Sequence, residues 1–312
     1  MLNWIVIGVG DIARRRVIPA IQAESRSRLY GIVTRDPAKA QPYGVRVWTS
    51  LDEALADPDA HAVYVAVPVF LHATQTIHAL RAGKHVICEK PMAMNETEAW
   101  TMLRAAEESG KIFGVAYYRR CYPKVQRAKE LLAAGVIGRP VLAELTNHMW
   151  FDGTGSRNWL VDPAKAGGGP LFDIASHRID VLNFLFGQPQ RVTGQLSNAV
   201  HHYAVEDNAS LMIEYASCVR GIVDVRWHSK IERDECRIRG TEGEMDLSPL
   251  NGPELIYPGG QEHLPAHANL HYPMVENFVD AVEGKGTLLA SGASSYWTDW
   301  VTKQVMEASV KR

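Results

Sequence analysis

The chain has 312 residues, of which 46% are hydrophobic and 22% charged, a length that suits two domains. Its formal net charge is −2 and it has no basic tract, so it lacks the positive field that nucleic-acid binding requires, and no such partner is expected. No stretch of about 18 uncharged apolar residues occurs, which argues against a membrane-spanning helix.

The apolar segment 1–10 runs into a glycine-rich turn and lacks the basic region and cleavage site of a signal peptide. The four cysteines are widely spaced and form no CxxC motif or Cys/His cluster, so no metal site is expected. Together these features predict a cytoplasmic protein without a membrane partner.

The first third of the chain alternates strand and helix patterns. Strands are predicted at 4–7, 29–33, 62–67, 85–88 and 112–116, and helices at 12–23, 51–56, 71–82 and 96–109. A short helix is predicted to begin near Pro37, with Asp36 as its cap. Repeated β–α units require parallel strands with right-handed crossovers. Residues 1–119 are therefore predicted to form an α/β, doubly wound Rossmann domain that binds a dinucleotide.

After residue 119 the pattern changes. Helices are predicted at 124–134, 170–186, 274–282 and 295–309, and strands at 141–149, 191–197, 209–215, 221–229, 235–239 and 244–247, with a hairpin turn at 240–243. The alternation of Val223 and Val225 with Asp224 and Arg226 indicates a sheet with one wetter face. Residues 120–312 are therefore predicted to form an α+β domain on a largely antiparallel open sheet.

The segment Gly8-Val9-Gly10-Asp11-Ile12-Ala13 reads G-x-G-x-x-A between the first strand and the first helix. Such a turn lets the backbone approach a pyrophosphate, and the free amides of the helix N-terminus hold the anion. We expect its contacts with the cofactor to come from Gly8, Gly10, Asp11, Ile12 and Ala13.

The second strand ends in Thr34-Arg35-Asp36, where NAD-binding domains usually carry an acidic residue for the ribose. Arg35 and Thr34 suit a 2′-phosphate, which predicts a preference for NADP over NAD. Asp36 is an alternative ribose acceptor, although Pro37 directly after it fits a helix cap better.

Two groups of residues have the chemistry of an active site. Glu89-Lys90-Pro91 follows the strand 85–88, at the edge where doubly wound sheets hold ligands, and Lys90 there suits proton transfer or a hydrogen bond to the reacting oxygen. An exposed loop lysine is the alternative interpretation. The end of the preceding strand adds Val67, Pro68 and His72 as predicted cofactor contacts, together with Glu89 and with Lys90, which is expected beside the nicotinamide.

The second group follows three glycines at 167–169. Asp173 and His177 are four residues apart on an otherwise apolar helix, and Asp180 continues their face. This polar stripe must meet a partner or a cavity, so it predicts either an acid–base pair or a buried structural pair. Four substrate contacts are predicted. Arg157 and Trp159 lie in the polar, aromatic segment 150–159, and Tyr118 and His148 precede that segment.

Over nearly its whole length the chain resembles the glucose–fructose oxidoreductase/inositol dehydrogenase/MocA family. The resemblance rests on the turn at 8–13, Ala66-Val-Pro68 with Leu71-His72, the segment 83–91, Gly135-Val-Ile-Gly138 and the segment 167–180. It implies that Lys90, Asp173 and His177 line the active site and that the Lys90–Pro91 bond is cis. It also implies homodimers or homotetramers packed through the open face of the second sheet.

By this resemblance, hydride passes between nicotinamide C4 and a carbinol or carbonyl carbon of a sugar, cyclic polyol or related molecule. Either His177 or Lys90 carries the proton, and Asp173 positions the substrate and His177. The same fold also serves trans-dihydrodiol dehydrogenases and imine or tetrapyrrole reductases, and these alternatives stay open. A non-catalytic NADP-binding regulator is a further alternative, disfavoured because Lys90, Asp173 and His177 are all present.

Overall fold

The computed structural model describes residues 1–310, which fold into two compact units. The first unit contains Met1–Tyr118 and His267–Tyr296, and the second contains Arg119–Ala266 and the chain from Trp297 onward. The first boundary lies within one residue of the one predicted at 119/120. The segment 267–296, however, belongs to the first unit rather than to the second. Among residues 1–310, no helix is both long and apolar enough to cross a bilayer.

The first unit is built on six parallel strands in the order β3-β2-β1-β4-β5-β6. The strands are β1 (Leu2–Ile7), β2 (Ser27–Val33), β3 (Arg46–Trp48), β4 (Ala62–Val65), β5 (His85–Cys88) and β6 (Phe113–Val115). Register pairs Ile7 with both Val33 and Val65, and Cys88 with both Val65 and Val115. The carboxyl ends of five strands are therefore aligned. The segments that follow these strands lie together along the carboxyl-terminal edge of the sheet. This confirms the predicted Rossmann topology.

Four helices connect these strands: α1 (Ile18–Ala23), α2 (Leu51–Leu55), α3 (His72–Arg81) and α4 (Glu96–Ser109). The helix predicted at 12–23 begins instead as a π-helical turn, Ala13–Val17, and continues as α1. Pro19 explains the wider turn, since it has no N–H to donate and its ring crowds the preceding carbonyls. Asp36 occupies the N-cap position of a short 3-10 helix, Pro37–Lys39, but its side chain makes no capping hydrogen bond, contrary to the prediction.

The late segment 267–296 joins the first unit through specific contacts. It contains α8 (Tyr272–Val282) and the start of α9 (Gly292–Val310). The rings of Trp4 and Phe278 lie 5.2 Å apart, and Arg26 Nη1 pairs with Asp280 Oδ1 at 2.6 Å. Along the edge strand β6, the Val115 amide donates to the Ala290 carbonyl. The segment thereby covers an edge that would otherwise expose unpaired backbone groups.

The second unit contains an eight-stranded sheet in the order β14-β13-β12-β11-β7-β10-β9-β8. The strands are β7 (Pro140–Trp150), β8 (Pro189–Ser197), β9 (Asn208–Tyr215), β10 (Arg220–Arg226), β11 (His228–Gly240), β12 (Glu244–Asp246), β13 (Glu254–Tyr257) and β14 (Gly260–His263). Among the strands of this second sheet, as described within residues 1–310, only β7 and β10 pair in parallel, which confirms the largely antiparallel sheet.

One face of this sheet is buried and the other is open. Ala143, Leu145 and Val223 are fully or almost fully buried, whereas Glu144 and Asp224, on the opposite face by strand alternation, are half-buried. The helices of this unit are α5 (Pro123–Ala133), α6 (Pro163–Ala166), α7 (Ser176–Phe186) and the later part of α9. The residues of α7 are almost all buried, as expected for a helix that covers the apolar face.

Candidate active site

The glycine turn after β1 has the backbone geometry of a dinucleotide site. Gly8 has a φ of +91°, and a Cβ there would lie 2.6 Å from the Ala66 carbonyl oxygen, so only glycine fits. A Cβ on Gly10 would meet nothing within 4 Å, which leaves the backbone there open to a ligand. Ala13 is fully buried, whereas Asp11 and Ile12 are exposed. The residues therefore fit a bound pyrophosphate.

The residues after β2 differ in how they are held. The Thr34 hydroxyl contacts the Asp36 backbone, at 3.2 Å from its N–H and 3.3 Å from its carbonyl oxygen. The Asp36 carboxylate lies 3.7 Å from Lys39 Nζ. Arg35 is exposed and has no ion-pair partner within residues 1–310. Its guanidinium is therefore the group best placed to meet a ligand phosphate here.

His72, a predicted cofactor contact, is buried and held on both sides of its ring. Nδ1 lies 2.9 Å from the Pro91 carbonyl oxygen and Nε2 lies 2.8 Å from the Val67 carbonyl oxygen. It therefore connects the segment after β4 with the segment after β5. Both ring nitrogens face protein carbonyls, so the structure gives His72 a role in shaping the edge of the sheet. Any contact with the cofactor would have to use another part of the ring.

Glu89, also a predicted cofactor contact, instead lies in a buried network. Its Oε1 accepts hydrogen bonds from Tyr64 Oη at 2.8 Å and from His271 Nε2 at 3.2 Å, and its Oε2 accepts from the Lys90 amide at 3.2 Å. Burial would raise the pKa of Glu89, but the hydrogen bonds from His271 and Tyr64 outweigh it and lower the pKa below its usual value. Glu89 is thus an ionised structural carboxylate. The Lys90–Pro91 bond beside it is cis, as the resemblance implies.

Two residues of this network were missed by sequence reasoning. Tyr64 lies within the apolar strand β4, where it is easily taken for a core residue, and His271 lies 182 residues beyond Glu89 in the chain. The ring of the predicted substrate residue Tyr118 is 4.9 Å from that of His271. The first unit therefore brings together Glu89, Lys90 and Tyr118 through a histidine that no local pattern indicates.

In the second unit, the three glycines before Asp173 are required by close packing. A Cβ on Gly167 or Gly168 would lie 2.5 Å from the Phe172 ring, and one on Gly169 would lie 2.0 Å from the Glu206 carbonyl oxygen. Glu206 also accepts a hydrogen bond from the Leu171 amide at 3.0 Å, where an anion favours a helix start. The groups that approach these glycines closely are therefore the Phe172 ring and the Glu206 backbone.

Asp173 lies in a π-helical turn, Leu171–Ala175, that leads into α7. Such turns occur frequently at functional sites. Its Oδ2 accepts a hydrogen bond from Arg157 Nη2 at 2.7 Å, and the Arg157 guanidinium lies 5.1 Å from the centre of the Phe151 ring. Two residues predicted separately, Asp173 and Arg157, are therefore in contact. His177 is buried, with 6% of its surface exposed.

Asp180, which continues the same stripe, has a different role. It is fully buried, and its two carboxylate oxygens accept hydrogen bonds from Nε and Nη2 of Arg120, the closest at 2.5 Å. This is a structural ion pair of the kind foreseen as the alternative for the stripe.

His148 does not lie with Asp173 and His177. It is on the open face of the sheet, and its Nε2 is 2.5 Å from Asp224 Oδ2. Trp159 is half-buried in the 3-10 segment Gly155–Val161, which also contains Arg157. Of the predicted substrate residues in the second unit, Arg157 and Trp159 therefore share one segment, and His148 is separate from it.

Family models match both parts of the chain. The model described as an oxidoreductase family with an NAD-binding Rossmann fold matches residues 2–117, and the GFO/IDH/MocA C-terminal domain matches residues 125–246. The chain belongs to the GFO/IDH/MocA family. It is accordingly an oxidoreductase with an NAD-binding Rossmann domain, which confirms the resemblance drawn from its motifs.

Similar proteins cover most of the chain. The 1,5-anhydro-D-fructose reductase of Ensifer adhaerens is 32% identical over 311 residues, which covers 96% of this chain and 93% of the reductase. The D-xylose 1-dehydrogenase (NADP(+)) 2 of Haloferax volcanii is 27% identical over a region that covers 78% of this chain and 75% of the dehydrogenase. A solved structure of levoglucosan dehydrogenase with NADH and levoglucosan has a TM-score of 0.89 at 25% identity, covering 99% of this chain and 97% of that one.

Proposed function

We propose that this oxidoreductase interconverts a carbinol and a carbonyl group on a sugar, an anhydrosugar or a cyclic polyol. The relatives named above act on molecules of this kind. The observation that supports the proposal most is the common edge of the first sheet. The glycine turn follows β1 and Lys90 follows β5, on either side of β4. A pyrophosphate site and a proton-bearing side chain thus meet at the edge where such sheets hold ligands.

A bound nicotinamide dinucleotide supplies or accepts the hydride. In the proposal, Lys90 or His177 donates a proton to the substrate oxygen in reduction and removes it in oxidation. Asp173, fixed by Arg157, accepts hydrogen bonds from substrate hydroxyls and orients the substrate. Because a carbinol proton is not acidic at neutral pH, the proton-accepting group must lie within hydrogen-bond reach of the substrate oxygen when the hydride leaves.

The test is turnover. The purified protein would be incubated with NADP⁺ or NAD⁺ and a panel of inositols, aldoses, anhydrosugars, sugar acids and dihydrodiols, with reduced-nicotinamide absorbance as the signal. We expect Lys90→Ala and His177→Ala each to lower kcat by about 100-fold, the usual scale for general acid–base groups. Lys111→Ala is the matched control and should keep normal turnover. Lys111 lies just before β6, at the amino-terminal end of the strands and away from the end that Lys90 follows. Cofactor binding without turnover of any substrate, in either direction, would instead favour a regulatory protein.

We further propose that NADP is preferred over NAD. The exposed Arg35 guanidinium, which makes no ion pair with any of residues 1–310, supports this, since it can pair with a 2′-phosphate. The name of the Haloferax volcanii relative includes NADP(+), whereas the levoglucosan dehydrogenase structure contains NADH, so the family uses both cofactors. Arg35→Ala should weaken NADPH binding about 10-fold and leave NADH binding unchanged, because only NADPH carries the extra phosphate. Arg28→Ala, on the exposed side of the same strand, is the control. Tighter binding of NADH by the unaltered protein would contradict the preference.

We also propose a homo-oligomer formed through the open face of the eight-stranded sheet. Ile222 is exposed on that face and pairs in register with Met212, so two apolar side chains adjoin there. Sedimentation that detects only monomer at assay concentrations would contradict this assembly. The cytoplasmic location stays a prediction from the sequence.

A further inference from the structure

The network around Glu89 links a distant histidine to the proposed catalytic lysine. His271, the residue before α8, donates from Nε2 to Glu89 Oε1, and Glu89 Oε2 accepts from the backbone amide of Lys90. Tyr64 donates to the same Oε1 from β4. His271 and Glu89 are both buried, at 2% and 8% exposure. One carboxylate therefore joins β4, the start of α8 and the backbone of Lys90.

The surroundings of Tyr64 and Glu89 shift the pKa values of both groups. Burial, followed by the neighbouring Glu89, raises the pKa of Tyr64 well above its usual value, so Tyr64 is a neutral donor. Burial alone would raise the pKa of Glu89, but the hydrogen bond and the charge attraction from His271, with smaller contributions from Tyr64 and Lys90, outweigh burial and lower that pKa. The ionised state of Glu89 thus depends mainly on His271. An ionised carboxylate is a stronger acceptor for the Lys90 amide than a neutral acid.

Nε2 is the ring nitrogen through which His271 contacts the network. Its Nδ1 is buried and has no hydrogen-bond partner among the described residues 1–310. A buried polar atom in that state is unfavourable, and a hydrocarbon side chain would fill the position without it. The Nε2 contact with Glu89 is the compensating interaction.

We propose that His271 is a positioning residue for Lys90 and acts through Glu89. This proposal rests on the proposed role of Lys90. Without the Nε2 donor, the buried carboxylate loses the hydrogen bond that does most to keep it ionised, and its hold on the Lys90 amide weakens. Lys90 then samples more backbone positions, and its ammonium is aligned with the substrate oxygen for less of the time. His271 itself touches neither substrate nor cofactor in this scheme.

The deciding comparison is between His271→Leu and His271→Gln. Glutamine carries an N–H donor at about the reach of Nε2, whereas leucine fills the space without a donor. We expect His271→Leu to lower kcat about 10-fold with little change in KM, and His271→Gln to restore most of the rate. His202→Leu alters an exposed histidine of the second unit and is the control.

Hydrogen exchange of the Lys90 amide tests the same contact without turnover. That amide is bonded to Glu89 Oε2, so its exchange should be faster in His271→Leu and normal in His271→Gln. If the unaltered protein turned over no substrate, the proposed function would fail while this measurement still judged the positioning role. Normal exchange and normal kcat in His271→Leu would overturn the inference. Equal losses of kcat in the leucine and glutamine variants would also overturn it, since they would show that His271 matters only for its packing and not for its hydrogen bond.

Glu89→Gln gives a second route if His271→Leu does not fold. Glutamine has one acceptor oxygen where Glu89 accepts from Tyr64, His271 and the Lys90 amide on two, so the Lys90 amide should again exchange faster. Since His271 acts through Glu89, combining Glu89→Gln with a second variant that lacks the donor, His271→Met, should add no further loss of kcat to that of Glu89→Gln alone. Additive losses would show that the two residues act separately and would contradict the proposed connection.

Discussion

Arg157 donates a hydrogen bond to Asp173 across 2.7 Å, which joins the polar segment after β7 to the π-helical turn that precedes α7. The side chain of Arg157 is 48% exposed, whereas that of Asp173 is 16% exposed. Asp173 is thus mostly withdrawn from water and held from one side by a guanidinium that solvent reaches. Its orientation depends on an arginine in a segment that local sequence patterns left without secondary structure.

The first prediction concerns this pair. Arg157→Ala should lower kcat/KM about 10-fold, because Asp173 loses a charge-assisted hydrogen bond that helps to orient it. The free energy of unfolding should change little, since Arg157 is half exposed. Arg139→Ala, at an exposed arginine of the same unit, is the control. Steady-state kinetics beside urea unfolding will separate the two effects, and a loss of stability without a loss of rate would contradict the assignment.

The second prediction separates the two glycines of the turn. Gly8→Ala should destabilise the fold by about 1–3 kcal/mol from backbone strain alone, and the clash with the Ala66 carbonyl adds to this. Gly10→Ala has open space, so it should unfold at the same urea concentration as the unaltered protein but bind NADPH more weakly. Unfolding curves and cofactor fluorescence titrations measure both. Tight NADPH binding by Gly10→Ala would mean that the pyrophosphate does not approach this glycine.

The third prediction concerns the buried pair of Arg120 and Asp180. Asp180→Leu should cost about 3–5 kcal/mol of stability, because it removes the carboxylate that pairs with the buried Arg120 guanidinium. Adding Arg120→Met to Asp180→Leu should recover much of that loss, because no buried charge then remains. Denaturant unfolding of both single variants and of the double variant gives the coupling. If the double variant had a lower free energy of unfolding than Asp180→Leu, Arg120 would stabilise the fold through contacts other than its ion pair, and the prediction would be wrong.

The fourth prediction is a pH dependence of stability. Burial, with smaller contributions from Lys111 and His61, lowers the pKa of His85 to about 4, from 6.5 in an unfolded chain. Between these values the unfolded chain binds a proton that the folded chain does not, so stability falls as pH decreases from about 6.5 to about 4. In His85→Asn, which keeps an acceptor for the Ile112 amide, this decrease should be shallower.

Urea midpoints at pH 7.5, 5.5 and 4.5 will measure that slope. His202→Asn alters an exposed histidine and should follow the unaltered protein at each pH. If the curve of His85→Asn ran parallel to that of the unaltered protein, His85 would not be a source of the acid sensitivity.

Local patterns predicted those parts of the fold that depend on neighbouring residues. The bounds of β5 and α4 agree with the predicted ones because alternation and caps define them: Asn95 accepts from the Glu98 amide, and Gly110 ends α4 with a φ of +64°. The short strands β3, β13 and β14 were missed, since each has only three or four residues and depends on its partner strand. The place of 267–296 was also missed, since it depends on contacts such as Trp4 with Phe278.

The same distinction applies to the candidate site. Spacing identified Lys90, Asp173 and His177 as candidates, and Arg157 as a residue of the same region. It could not separate Glu89 from the cofactor contacts, because the partners of Glu89 are far away in the chain. Nor could it assign His148 to the open face, which depends on its pairing with Asp224 across two strands. Residue type and local spacing indicate candidates, and long-range contacts decide their roles.

The discontinuous first unit has a consequence for how the protein is made. A ribosome releases Met1–Tyr118 long before His267–Tyr296, so Trp4 and the β6 edge stay uncovered while the intervening 148 residues are synthesised. During that interval the nascent sheet exposes an apolar ring and unpaired backbone, the features that recruit chaperones or promote aggregation. A fragment ending at residue 118 would keep both features permanently. Expression of the dinucleotide-binding unit alone would therefore require residues 267–296 to be joined to it through a short linker.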